Sequence, residues 1–298
     1  MKTDSLEIET KRLLHRFGLR ARKGLGQHFL TDEGVLKAII QAAELAPSDV
    51  VIEVGPGLGV LTRELAGRAA WLFTVELDSN LAAILQKNLS SRGNVTVINE
   101  DILEINPAAL LQEVPTGLPG LAGSAPSYKV VANLPYYITS AVLRHFLTAH
   151  TKPRMMVVMV QREVAEAISA GPGHMSLLSI SVQFYGQPEI VSFVPASCFY
   201  PAPEVDSAIL SITVPPRPAV EVSDEDGFFS LLRAGFSAAR KQLANSLAHG
   251  LKLPKAEVLP TLQKAGISPQ RRAETLTLEE WTGLWRTFNQ PREGQTGC

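Results

Sequence analysis

The run VIEVGPGLGVLTREL, residues 51–65, decides the fold. An apolar, β-branched stretch ends in Gly55, Gly57 and Gly59, and a helical pattern follows at once. Glycines let a backbone turn sharply at the end of a strand and approach a bound nucleotide moiety closely. The third glycine follows the second by two residues rather than three, so the G-x-G-x-x-G pyrophosphate fingerprint is not met.

Outward from this loop, strand and helix patterns alternate. VVIEVG (50–55), LFTVEL (72–77), VTVIN (95–99), KVVAN (129–133) and MMVVMV (155–160) read as strands. Residues 59–68, 79–89 and 139–149 read as helices between them. Such alternation implies βαβ units and an α/β fold built on a mainly parallel, doubly wound sheet. The Pro-, Gly- and Ser-rich residues 106–127 read as a surface excursion before the fourth strand. After SAILSITV (207–214), PPRP (215–218) reads as a hinge, and helical patterns at 225–237, 239–249, 255–265 and 277–288 imply a small α-helical second domain. The expected organisation is a basic amino-terminal arm (1–20), a catalytic domain (21–214) and a carboxy-terminal helical domain (219–298).

The 298 residues have a formal net charge of −1, and 45% are hydrophobic, as in an ordinary soluble protein. No apolar run is long enough to span a bilayer, and no secretory signal is visible. Cys198 and Cys298 form neither a metal-ligand spacing nor a disulfide framework, so no metal is expected and the location reads as cytoplasmic. The average charge hides acid-free basic runs at 11–23 and 228–255. Alone they read as solvated faces; patches of this kind are also what meets phosphates.

Two carboxylates follow the glycine loop. Glu76 stands at the end of the second strand, in VELD, and Asp101 just after the third, in NED. Strand ends of such sheets face the crevice where ligands bind. There Glu76 can accept from ribose hydroxyls and Asp101 from an exocyclic adenine amine. A ligand offering hydroxyls and an amine but no pyrophosphate fits S-adenosylmethionine better than NAD. The fourth strand then leaves the sheet through Asn133, Leu134, Pro135, Tyr136 and Tyr137. The amide oxygen of Asn133 and the carbonyl of Leu134, held by Pro135, could take the two N–H bonds of an adenine N6, whose lone pair would then point at a methyl group. Tyr136 offers a stacking face for that base. Tyr137 reads as structural.

GLGQHFL (24–30), EVGPGLGVLT (53–62), VELD (75–78), EDIL (100–103), NLPYYIT (133–139), QREVAEAI (161–168), FYPAPEVDSAIL (199–210) and FSAARKQLANSL (236–247) occur in the order seen in the bacterial small-subunit ribosomal RNA adenine dimethyltransferase family. The chain resembles that family over roughly residues 20–285. The resemblance implies a Rossmann-like S-adenosylmethionine-dependent methyltransferase that dimethylates the N6 amines of two adjacent adenosines in the 3′-terminal hairpin loop of 16S rRNA, within a pre-30S particle. It implies a donor site at Gln27, His28, Leu30, Gly55, Gly57, Glu76, Asp101 and Asn133. It also implies a base site at Asn133, Leu134, Pro135 and Tyr136 with Phe199 as second stacking face, and RNA contacts at Arg22, Lys23, Arg240 and Lys241. His28 stands where the family has Asn, Ala141 where many members have Pro, and Ala239 where the residue is often basic. The expected protein is a monomer without membrane attachment. The alternatives are a 23S rRNA adenine methyltransferase of the same fold, a non-catalytic assembly or transcription factor, and an NAD-linked oxidoreductase.

Overall fold

The computed structural model describes residues 5–19, 21–117, 127–238 and 240–289, without the Lys23 side chain. Two compact units form: the chain up to Glu166 with Gly186–Pro216, and Ala167–Tyr185 with the chain from Arg217 onward. The sequence suggested one division, at 215–218; the structure adds an earlier excursion, residues 167–185, to the second unit.

In the first unit, the stretch expected as a basic arm contains helix α1 (Leu6–Arg16). Glu7 and Glu9 lie in its first turn and His15 and Arg16 in its last, matching the helix dipole at both ends. Leu14 packs with Phe29, Leu58 and Leu81, and Glu9 pairs with Arg63 at 2.6 Å. The helix is therefore part of the unit's own packing.

There follow β1 (Phe29–Leu30), α2 (Glu33–Ala42), β2 (Val50–Val54), α3 (Val60–Ala66), β3 (Trp71–Val75), α4 (Ser79–Leu89), β4 (Val95–Ile98), α5 (Pro107–Gln112), β5 (Tyr128–Asn133), α6 (Thr139–Thr148), β6 (Met155–Gln161) and α7 (Arg162–Ile168). α5 lies within the stretch expected as loop. Asn106 caps it by accepting from Ala108 N at 3.0 Å, and Pro107 supplies a preset φ at its first position. After α8 (Leu177–Tyr185) in the second unit, the chain returns as β7 (Gln187–Val194), β8 (Phe199–Tyr200) and β9 (Ser207–Thr213).

Seven strands form one sheet in the order β4-β3-β2-β5-β6-β9-β7, with β4 through β6 parallel and β9 antiparallel to both neighbours. Every residue of β2 is buried, which explains its continuous apolar reading: helices cover both faces of such a strand. The order reverses between β2, which leads to β3 and β4, and β5, which leads to β6; a crevice opens at this switch point. At the opposite strand ends, buried Lys129 donates to the carbonyls of Ala43 (2.7 Å) and Glu44 (2.6 Å) and pairs with Asp49 at 3.0 Å. Arg154 also pairs with Asp49, so the buried charges are matched.

The second unit adds α9 (Glu225–Phe236), α10 (Leu243–Leu251), α11 (Lys255–Lys264) and α12 (Leu278–Asn289) to α8. Phe184, Tyr185, Phe228 and Phe229 pack ring to ring between α8 and α9. α10 begins later than the sequence pattern suggested, because Leu243 N is drawn to Arg271 O at 2.7 Å and Lys241 N closes a turn on Ala238 O. Among the described residues no helix is long and apolar enough to cross a membrane.

Candidate active site

The cleft at the switch point is lined by the glycine loop, the turns after β3 and β4, the turn after β5, and the segment before α2. It collects Gln27, His28, Leu30, Gly55, Gly57, Glu76, Asp101, Asn133, Leu134, Pro135 and Tyr136, residues separated by up to about a hundred positions in sequence.

Gly57 adopts φ +57°, and a Cβ there would meet the Phe29 ring at 3.2 Å. The loop thus needs glycine both for its conformation and for the approach of the amino-terminal segment. Glu76, 6% exposed, accepts from Gly57 N at 3.1 Å and from Asp78 N at 2.9 Å. One carboxylate therefore locks the glycine loop to the turn after β3. Burial raises its pKa, and those backbone donors oppose the shift. Asp101 uses Oδ1 to accept from Leu103 N at 3.0 Å, the local capping role, while remaining exposed at the cleft.

Asn133 ends β5 and donates from Nδ2 to the His28 carbonyl at 3.1 Å, which turns Oδ1 into the acceptor side of the amide. The His28 ring lies nearly parallel to that of Tyr136, with centroids 5.9 Å apart and planes at 23°. Its Nδ1 donates to Pro201 O at 2.8 Å, tying the amino-terminal segment to the turn after β8. The Tyr136 hydroxyl bonds to Ser207 Oγ at 2.8 Å, which anchors the tip of the side chain. Burial raises the Tyr136 pKa above its ordinary value.

The structure does not bring Phe199 to this cleft. The ring is 4% exposed and packs with Leu30, Val194 and Ile209, because β8 pairs with β1 and sets Phe199 opposite Leu30. Arg22, expected on RNA, has an internal partner: its guanidinium lies 3.4 Å from Asp78, which also accepts from Gln27 Nε2 at 3.2 Å. Arg240 and Lys241 are exposed on the turn before α10. The Lys23 side chain, Arg20 and Ala239 lie outside the described residues.

Two features of the cleft escaped the sequence reading. Tyr137, read as structural, is 58% exposed and lines the cleft against Gly26. Glu53 of β2 is 1% exposed, lines the same cleft, and accepts from Thr74 Oγ1 at 3.0 Å through Oε2, while Oε1 is buried without a partner. An acid inside an otherwise apolar, fully buried strand was the available signal.

A narrow glycine cradle, a buried carboxylate and an orphaned buried oxygen fit a ligand with hydroxyls and cationic or amino groups. S-adenosylmethionine is such a ligand.

The family described as ribosomal RNA adenine dimethylase matches residues 18–290. A ribosomal RNA small subunit methyltransferase A of Dehalococcoides mccartyi is 51% identical across 97% of this chain and 95% of that protein. The protein of the same name from Moorella thermoacetica is 44% identical across 94% and 96%. Among solved structures, a dimethyladenosine transferase from Plasmodium falciparum aligns with a TM-score of 0.72 at 26% identity, covering 88% of this chain and 98% of its own. The 23S rRNA methyltransferase ErmE aligns at 0.67 and 30% identity, covering 88% and 100%. The chain belongs to the ribosomal RNA adenine dimethylase family, as an S-adenosylmethionine-dependent methyltransferase acting on ribosomal RNA.

Proposed function

We propose that this protein dimethylates the N6 amines of two adjacent adenosines in the 3′-terminal hairpin loop of 16S rRNA, on the maturing small ribosomal subunit, acting in the cytoplasm as a monomer. The observation that carries this reading is the meeting of Asn133, Leu134, Pro135 and Tyr136 with Glu76 and Asp101 in one cleft. The small-subunit name shared by relatives at 51% and 44% identity favours 16S over 23S rRNA.

S-adenosylmethionine, when bound, supplies an electrophilic methyl group. Glu76 is the acceptor for its ribose hydroxyls, and Asp101 for its adenine amine through the oxygen not used in the local turn. Gly55 and Gly57, both at positive φ, let the loop turn tightly beside the donor, and Gln27, His28 and Leu30 flank it from the amino-terminal segment.

Asn133 is held for the target base. With Nδ2 committed to the His28 carbonyl, Oδ1 accepts one N6–H, and the Leu134 carbonyl accepts the other. The amine nitrogen, conjugated with the ring when planar, is thereby biased toward a pyramidal form whose lone pair can attack. This is catalysis by positioning and electrostatics. Tyr136, its hydroxyl fixed by Ser207, offers a stacking face worth ~1–3 kcal/mol per base in comparable contacts. Arg240 and Lys241 would meet phosphates, which position RNA without reading its sequence.

The test is the nucleoside product. Unmethylated 30S subunits and 23S fragments incubated separately with enzyme and labelled donor should yield N6,N6-dimethyladenosine in the 16S 3′ hairpin alone. Label confined to 23S RNA would move the substrate to the large subunit.

A further inference from the structure

Glu53 has no part in the chemistry above, yet it is the most deeply buried acid lining the cleft. Its neighbours in the sheet are Thr74 of β3 and Val131 of β5, by register. Thr74 donates to one carboxyl oxygen, and the other is buried without a partner. Thr62 of α3 lies alongside, its own hydroxyl buried next to that carboxyl. The charged group facing Glu53 is another acid, Glu76, so its surroundings offer an ionised carboxylate a like charge and little solvation. Burial, foremost, pushes its pKa up to about 8, against the pull of the Thr62 and Thr74 hydroxyls.

A cation entering this cleft changes the balance, because opposite charge at close range favours the ionised form of an acid. S-adenosylmethionine brings two cationic centres, a sulfonium and an ammonium, and one carboxylate. We propose that Glu53 is the donor-sensing carboxyl of the cleft: neutral in the free protein, it releases its proton when the cationic donor binds, so that donor capture is proton-linked. The O–H bond of the Glu53 carboxylic acid breaks, its electron pair stays on the carboxylate, and the proton passes to buffer. The inference rests on the reading of this cleft as the donor site.

Isothermal titration of S-adenosylmethionine into the full chain, in buffers of differing ionisation enthalpy, counts the protons exchanged. Glu53→Gln keeps the shape of the neutral acid and serves as the reference. At pH 7 the wild type should release about 0.9 proton more than the variant, and at pH 9 only about a tenth of a proton more, given a group titrating near 8. Equal proton release by the two proteins at pH 7 overturns the proposal. Should that variant not fold, Glu53→Met, which also carries no titrating proton, serves as the reference, and equal proton release by it and the wild type at pH 7 overturns the proposal. Binding without proton exchange leaves the donor site intact and removes only the role of Glu53, whereas absence of binding heat and of any donor-induced melting shift removes the donor site itself.

Discussion

Replacing Glu76 by Gln should damage the protein before any donor is added. The carboxylate holds two backbone donors, Gly57 N at 3.1 Å and Asp78 N at 2.9 Å, one on each oxygen. A glutamine has a single acceptor oxygen, so one of these buried N–H groups must face an NH2. Leaving one buried donor unsatisfied costs about 1–3 kcal/mol. Relief from burying a charge works in the other direction, which puts the net loss at the lower part of that range. For a chain of this size, about 2–4 °C of melting temperature accompanies each kcal/mol, so the donor-free variant should melt lower by about 2–8 °C. Donor affinity should fall more steeply. The charged acceptor for two hydroxyls is lost, and one hydrogen bond to a charged group is worth ~1.5–3 kcal/mol, or about 10- to 150-fold in affinity. Donor-free thermal unfolding and a donor titration check the two parts separately. A variant that melts with the wild type and binds donor within twofold of it would refute the double role assigned to Glu76.

Three further outcomes follow from the geometry. Glu53, raised to about 8, holds a proton in the folded chain that it loses in the unfolded chain once pH exceeds the ordinary carboxyl value; stability should therefore fall as pH rises from about 4.5 to 8 and level off above, a loss of order 5 kcal/mol that Glu53→Gln lacks, measured by denaturant unfolding across that window. Asn133→Ala removes the oriented amide while leaving the Glu76 carboxylate in place, so methyl transfer should fall by about two orders of magnitude or more with donor affinity within a few-fold of wild type; equal losses in both would contradict the division of roles. Gly59→Ala places a Cβ 2.6 Å from Leu85 Cδ2 at a φ of +78°, and thermal unfolding should show a destabilisation of about 2–4 kcal/mol.

What could be read in the sequence was whatever local pattern carries. The β-branched runs that became β2 to β6 announce buried strands, and polar side chains placed at or just after their ends must fall at one end of a parallel sheet. That logic reaches Glu76, Asp101 and Asn133 without a structure. It does not reach Phe199, whose burial depends on pairing with Leu30 across nearly 170 residues. Nor does it reach Arg22, whose guanidinium lies beside Asp78 because the amino-terminal segment folds back onto the start of α4. The excursion of residues 167–185 into the second unit is likewise a long-range choice, made by Phe184 and Tyr185 packing on Phe228 and Phe229. The orientation of the Asn133 amide is set by a backbone carbonyl 105 residues earlier, so its chemical sense appears only in the fold.

The central claim is that one cleft brings a methyl donor and a 16S adenine together. It is tested most directly by incubating purified, unmethylated 30S subunits with the protein and labelled S-adenosylmethionine, then mapping modified nucleosides by mass. The account predicts N6,N6-dimethyladenosine at two adjacent positions of the 3′-terminal hairpin loop. Donor binding with no label in that loop would contradict it.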